Sequence, residues 1–346
     1  MEKVGIIGHY GFGHDLANGQ TIKTKIITDE LDRWLNEKVH TVDVHGGIKR
    51  LIPTIFNTIR SLKMCNNVII LLAENGLKVC VPILAVFNKL FKRSLHYIVI
   101  GGWLASYLQK NSWLIKYLKQ FKAVYVETST MKNALEKLGF NNIVIMPNCK
   151  NFPIISEAEL KTEYREPRML CTFSRVMAEK GIEDAIYAVD KINKHYKRTV
   201  YRLTIYGQVD AGQTQWFEDL KKEFPEYVTY GGVVPFTESV DVLKECYALL
   251  FPTRFYTEGI PGTIIDAYAA GLPVISSKWE SFSDVIEDGV TGYGYEFNNT
   301  EALYEILSRA AADPDMVIKL KKNCILKARG YTAERGTTVL KNALDI

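Results

Sequence analysis

Residues 248–276, "ALLFPTRFYTEGIPGTIIDAYAAGLPVIS", decide the fold. The apolar run Ala248–Phe251 stops at Pro252, as a buried strand does. Pro261 suits the first turn of a helix, where its missing N–H costs nothing. A helix is expected over Pro261–Ala270, and Pro273–Ser276 begins a second strand. Strand, helix and strand in so short a span are the repeating unit of a parallel sheet with helices on its faces. Two carboxylates interrupt the apolar text: Glu258 before the helix start, and Asp266 inside the helix among Ile264, Ile265, Ala267 and Ala269.

Outward from this unit the alternation recurs. Upstream, strands are expected at Met169–Phe173, Arg202–Tyr206 and Tyr227–Gly231, with helices at Ile182–Lys194, Thr214–Phe224 and Thr237–Cys246. Nearer the start, strands are expected at Lys3–Gly8, His40–His45, Asn67–Ala73, Leu95–Ile100, Ala123–Glu127 and Ile143–Met146. Helices over Gln20–Asn36, Ile52–Met64, Gly76–Lys92, Ser106–Phe121 and Thr130–Leu138 separate them. "MPNCKNFP", residues 146–153, reads as a linker. The expectation is an α/β protein of two Rossmann-like, doubly wound parallel-sheet domains, 1–150 and 151–330, facing a central cleft. Helices over Thr300–Ala311, Asp315–Arg329 and Thr332–Leu344 follow, and residues 331–346 are expected to pack back on the first domain.

The 346 residues suffice for two ordinary domains, and 47% apolar with 24% charged residues is the balance of a soluble globular chain. The opening "MEKVGIIGHYGFGH" lacks a basic start, so no signal peptide is expected, and the apolar runs fall short of the ~20 residues that cross a bilayer. Six scattered cysteines without a CxxC pair argue against a zinc site or a disulfide framework, and for a reducing cytoplasm.

The net charge of +4 hides an asymmetry: residues 1–150 carry 20 Lys+Arg against 10 Asp+Glu, and the rest carry 23 against 29. From Ile48 to Tyr125, twelve basic side chains meet one acid, Glu74. Within that span "IKRLIPTIFNTIRSLKM", residues 48–64, is a basic amphipathic pattern. It suits either a membrane interface or a core helix with a solvated back. With the clusters at 88–93 and 114–122, it favours an anionic membrane surface as a partner and a peripheral place on the cytoplasmic face. No nucleic-acid motif accompanies the charge, so no nucleic-acid partner is expected.

Ligands of open parallel sheets bind beyond the strands' carboxyl ends, and candidate residues gather there. In "SRVMAEKG", residues 174–181, Arg175 and Lys180 follow a strand and suit a diphosphate, the first as a planar fork and the second as a point charge. Gly262 leaves the backbone open at a helix start, whose amides and dipole favour an anion. Glu258 either accepts hydrogen bonds from ligand hydroxyls or caps that helix. Asp266, costly on an apolar face unless partnered, suits a ligand diol such as a ribose. In "GHYGFGHDLANGQT", residues 8–21, Gly19 precedes the first long helix and would let amides approach a phosphate or sugar. His9 and His14 lie in the same loop.

Together these motifs resemble the retaining nucleotide-sugar glycosyltransferases of the "group 1" class, glycosyltransferase family 4, with the GT-B fold. The resemblance rests on "EGIPGTIIDAYAAGLPVI", "SRVMAEKG", "GGVVP" at Gly231–Pro235, "DGVTGY" at Asp288–Tyr293 and "MPN" at Met146–Asn148. It covers the second domain almost throughout and the first only in layout and the Gly19 loop. It implies transfer of a hexose-type sugar from a nucleoside-diphosphate sugar to an acceptor hydroxyl with the anomeric configuration retained. The donor is a substrate, and no cofactor or metal is implied. Arg175 and Lys180 would hold the diphosphate, and Glu258 the sugar hydroxyls. Amides of Gly262 and Thr263 would contact phosphate, Asp266 the ribose, Val233 and Val234 the base, and Gly19 the diphosphate from the other domain.

Two features depart from the family pattern: Asp266 stands where glutamate is usual, and "VIGGWLASY", residues 99–107, lacks the histidine many members carry. A lipid-linked or growing polysaccharide acceptor in bacterial-type surface polysaccharide synthesis fits the basic first half. A nucleotide-sugar 2-epimerase of the same fold and a non-catalytic partner subunit stay open as alternatives.

Overall fold

Parallel strands covered on both faces should read as unbroken apolar runs. The computed structural model describes residues 2–12, 19–46 and 51–344, and in it strands such as Ala123–Val126 and Ala248–Phe251 do. The chain divides into two compact units, Met1–Asn151 with Tyr331–Ile346, and Phe152–Gly330.

The first unit is a six-stranded sheet of β1 (Glu2–Gly8), β2 (His40–Asp43), β3 (Cys65–Leu71), β4 (Ser94–Ile98), β5 (Ala123–Val126) and β6 (Ile143–Ile145). The spatial order is β2-β1-β3-β4-β5-β6, every neighbour parallel. Side chains alternate across the sheet. Ile7, Val68 and Ile70 join one core with Leu62, Leu77, Val81, Leu104 and Leu108 of the helices Leu51–Met64, Glu74–Phe91 and Leu104–Lys110. Ile6, Ile69 and Leu71 join another with Ile27 and Leu31 of the helix Gly19–Leu35, and with Leu340 and Leu344.

Leu340 belongs to a helix, Ala333–Ala343, from the far end of the chain. The return is pinned where the amide of Lys150 donates to the Tyr331 carbonyl at 3.0 Å and the amide of Ala333 to the Lys150 carbonyl at 3.0 Å. Gly336 lies so near Cys149 that a Cβ on it would come within 2.5 Å of the cysteine's own.

The second unit contains β7 (Arg168–Phe173), β8 (Tyr201–Tyr206), β9 (Val228–Gly232), β10 (Ala248–Phe251), β11 (Val274–Ser277) and β12 (Gly292–Tyr295), ordered β12-β11-β10-β7-β8-β9 and all parallel. The expected strands are present, and β12 is an addition. Its sequence, "GYGY", has little strand character, because glycine is used there for space. A Cβ on Gly292 would lie 2.1 Å from the Val274 carbonyl oxygen, and one on Gly294 would lie 2.3 Å from the Phe282 ring.

Two expected helices are broken. The stretch 106–121 becomes Leu104–Lys110, a 3-10 turn at Ser112–Leu114, and Ile115–Leu118. Asn111 ends the first piece, its amide side chain donating to the Tyr107 carbonyl at 3.0 Å in place of a further turn. The stretch 315–329 divides into Asp315–Ile318 and Lys321–Ala328. Among the described residues no helix is long and apolar enough to cross a membrane.

Candidate functional site

In the second unit, the segments after β7, β8, β9 and β10 converge at the strands' carboxyl ends, and glycines let them meet. Gly207, at φ +135°, lies under Ser174, whose carbonyl oxygen a Cβ would strike at 1.8 Å. Gly181, at φ +69°, lies equally close to Pro252. Both positions favour glycine by conformation and exclude side chains by space.

The turn that carries Lys180 is held from three sides. The amide of Val176 donates to the Gln208 carbonyl at 2.9 Å, the amide of Ala178 to Gln213 Oε1 at 2.7 Å, and Gln213 Nε2 to Glu179 Oε2 at 2.8 Å. From β10, the amide of Arg254 donates to the Glu179 carbonyl at 2.8 Å. The Arg254 guanidinium grips both oxygens of Asp184, at 2.8 and 2.9 Å, and Glu183 at 3.2 Å. The loop after β10 is thereby fastened to the helix Ile182–Tyr196 and to the Lys180 turn.

Lys180 Nζ donates to Glu258 Oε1, and the Thr253 hydroxyl donates to the same oxygen at 3.1 Å. The ammonium also lies over the Phe255 ring, 4.9 Å from its centroid, and 5.6 Å from that of Phe251. Both partners of the pair keep 16% side-chain exposure, so it is within reach of a ligand. Glu258 does not cap the following helix. The N-cap of Gly262–Ala269 is Pro261, with no side-chain cap bond.

That helix start suits an anion. The first amides bonded back into the helix are those of Ile264 and Ile265, both to the Pro261 carbonyl, so the amides of Gly262 and Thr263 precede the ladder. The Thr263 hydroxyl is buried without a hydrogen-bond partner among the described residues. Asp266 follows one turn later and is 4% exposed. Side chains on a helix lean toward its N-terminus, which carries this carboxylate toward the Gly262 turn.

Among the described residues, the other candidates make no hydrogen bond or ion pair with that pair. Arg175 meets Asp210 at 3.4 Å and is exposed. Val233 is exposed and Val234 half-buried, after Gly232 at φ +75°. Their turn is tied to β8, the Gly207 amide donating to the Gly232 carbonyl at 2.9 Å and the Tyr230 hydroxyl to the Gly207 carbonyl at 2.9 Å.

Gly19 belongs to the first unit, where it begins the helix Gly19–Leu35; a Cβ there would meet nothing within 4 Å among the described residues. His14 lies outside the described residues. His9 Nδ1 and Thr21 Oγ1 are 2.8 Å apart, and His9 Nε2 is 3.1 Å from His45 Nδ1. Burial, then the neighbouring His45, hold the His9 imidazole below its ordinary pKa against the pull of Asp43. His96 is buried in β4 beside the Tyr125 hydroxyl at 3.0 Å.

Residue patterns do not flag Thr253, Arg254, Asp210 or His45. A threonine at a strand end is the one local signal among them; the other three matter through partners far along the chain.

Residues 167–313 match the model of the family "Glycosyl transferases group 1". The amylovoran biosynthesis glycosyltransferase AmsK of Erwinia amylovora is 26% identical over 178 residues, 50% of this chain and 42% of that protein. The alpha-monoglucosyldiacylglycerol synthase of Acholeplasma laidlawii is 27% identical over 163 residues, 46% of this chain and 39% of that one. The chain thus spans less than half the length of these curated relatives. Among solved structures, Anabaena HepE in complex with UDP and glucose superposes with a TM-score of 0.75 over 100% of both chains at 13% identity. Sucrose-phosphate synthase from Thermosynechococcus elongatus does so with 0.77 over 99% of this chain and 98% of that one at 16% identity. The fold is the GT-B fold of two parallel-sheet units. The similarity to the group 1 glycosyl transferases lies in residues 167–313, inside the second unit.

Proposed function

We propose that the protein is a retaining, metal-independent glycosyltransferase that moves a hexose-type sugar from a nucleoside diphosphate to an acceptor hydroxyl. The observation that carries this reading is the Lys180–Glu258 pair, accessible at the carboxyl end of a parallel sheet and followed directly by an uncapped helix start. A cation and a row of free amides suit a diphosphate, and a carboxylate beside them suits the hydroxyls of the sugar it carries. Before the donor arrives, each charge of the pair neutralises the other. On binding, Lys180 turns to phosphate and Glu258 to sugar. As the glycosidic bond breaks, charge grows on the leaving diphosphate, where Lys180, Arg175 and the Gly262 and Thr263 amides stabilise it. Asp266 takes the ribose, and Val233 with Val234 the base.

Relatives named for amylovoran biosynthesis and for a glucosyl-lipid support a sugar or lipid-linked acceptor, met on the cytoplasmic face of a membrane during polysaccharide assembly. A thermal-shift screen of nucleoside-diphosphate sugars tests the donor, because a ligand of the native state raises its apparent stability. One donor is expected to raise the melting temperature of the wild type and not that of Glu258→Gln. A screen with no hit overturns the reading. Turnover of the donor without any acceptor replaces transfer by epimerisation.

A further inference from the structure

The helices Leu51–Met64, Glu74–Phe91 and Ile115–Leu118 cover one face of the first sheet, sending Leu62, Leu77, Val81, Leu84 and Leu118 into its core. Their outer side is not uniformly polar. Ile52 is 80% exposed and Phe56 67%, one turn apart on the first helix, and Leu90 is 79% exposed, one turn after exposed Val86 on the second. Phe87 and, in the neighbouring 3-10 turn, Trp113 are exposed as well. Among them stand exposed Arg60, Lys63, Lys89, Lys92 and Lys116. Glu74 is the one acid between Ile48 and Tyr125.

A single exposed aliphatic residue needs no explanation, but a layer of them set among lysines does. The centre of a protein interface is depleted in lysine, so this mixture is a poor match for a protein partner. Isoleucine and leucine tips gain nothing from the phosphates of a nucleic acid. The boundary of an anionic bilayer takes both kinds of group. Apolar tips enter between head groups, and lysine stems lie along them with their ammonium groups at the phosphates.

We propose that the outer face of this helical layer docks on an anionic phospholipid bilayer, through Ile52, Phe56, Val86, Phe87 and Leu90 with Lys89, Lys92 and Arg60 at the rim. The proposal deepens the transferase reading and rests on it for its purpose, since docking brings a lipid-linked acceptor within reach. Neither the surface nor its test uses the donor-site residues.

The test sediments the full chain with vesicles of phosphatidylcholine alone and of equimolar phosphatidylcholine and phosphatidylglycerol, at low and high salt. Binding to the anionic vesicles is expected to be at least about tenfold tighter than to the neutral ones, and to weaken with salt. Phe56→Ser with Leu90→Ser, and separately Lys89→Glu with Lys92→Glu, each lower it about tenfold. All four positions are exposed, so both variants are expected to melt as the wild type does. Equal binding to both vesicles, no binding, or variants that bind like the wild type overturn the proposal. Self-association lost in the serine variant, without vesicle binding, assigns the face to a second copy instead and also overturns it. A parallel thermal-shift panel of UDP, GDP, ADP, CDP and dTDP keeps the two ideas separable. Vesicle binding without any nucleotide response sinks the donor reading alone, and the converse sinks the docking alone.

Discussion

Each unit of the protein contains a lysine bonded to a glutamate, and the two pairs differ chiefly in their surroundings. In the first unit Lys23 Nζ meets Glu127 Oε1 at 2.6 Å, with side chains 3% and 2% exposed. In the second, Lys180 and Glu258 are 16% exposed each and share their site with a threonine hydroxyl and an aromatic face. A dry pair can exchange partners only if the fold opens, because each charge left alone in a low dielectric is expensive. A pair at the mouth of strand ends can part at little cost once a ligand supplies phosphate for one member and hydroxyls for the other. The same two residue types thus form a rivet in one unit and, under the proposed function, a latch in the other.

Three measurements press on that contrast. The largest expected effect is at the rivet. Lys23→Met takes the buried cation away from the Glu127 carboxylate and should cost about 3–5 kcal/mol in denaturant unfolding. A loss of less than about 1 kcal/mol, the scale of an exposed pair, would erase the distinction. At the latch the order of effects reverses. Lys180→Ala and Glu258→Ala should each cut turnover at least about a hundredfold while leaving the melting temperature nearly unchanged. Near-normal turnover in either would remove the pair from the site.

The smallest effect concerns Lys321, a third kind of lysine. It is 1% exposed, donates to the Gly271 carbonyl at 3.2 Å, and lies 5.3 Å from the Tyr164 ring centroid. Burial brings its pKa down from 10.5 to about 8. Below pH 8 both the folded and unfolded chains hold this proton, and the fold bears the full cost of the buried charge. Between pH 8 and 10.5 the folded state sheds the proton first, so stability rises with pH there. Lys321→Met should lack that rise and be more stable at neutral pH by about 2 kcal/mol, the lost bond to Gly271 offsetting part of the gain. Parallel pH profiles for variant and wild type would show that the buried ammonium bears no such cost.

Much of the fold is legible because its strands are buried on both faces. Ala248–Phe251 is a single apolar word, and strand ends elsewhere are read to within a residue or two. β12 escapes notice because its glycines serve close packing, which apolar periodicity does not report. The break at Asn111 escapes because a side-chain bond to Tyr107 competes with a helix that composition alone would continue. At the candidate site, residue types and their spacing along one segment are legible, but partnerships are not. Glu258 reads equally well as a cap or a ligand group until Lys180, 78 residues earlier, is seen to hold it. Arg254 reads as an ordinary loop arginine until Asp184, 70 residues earlier, fills its fork. Long-range pairing is a property of topology, and a local pattern carries none of it.

The helix Ala333–Ala343 also sets an order of events on the ribosome. Chains emerge from the N-terminus, and domains generally fold as units as they appear. The second unit is one continuous stretch, Phe152–Gly330, and can complete its core as soon as that stretch is out. The first unit begins earlier and finishes later. Until Leu340 and Leu344 arrive, Val4, Ile27 and Leu31 lack part of their cover. The half that is translated first is therefore the half that waits, and it waits with apolar surface open to whatever chaperone or neighbouring nascent chain reaches it.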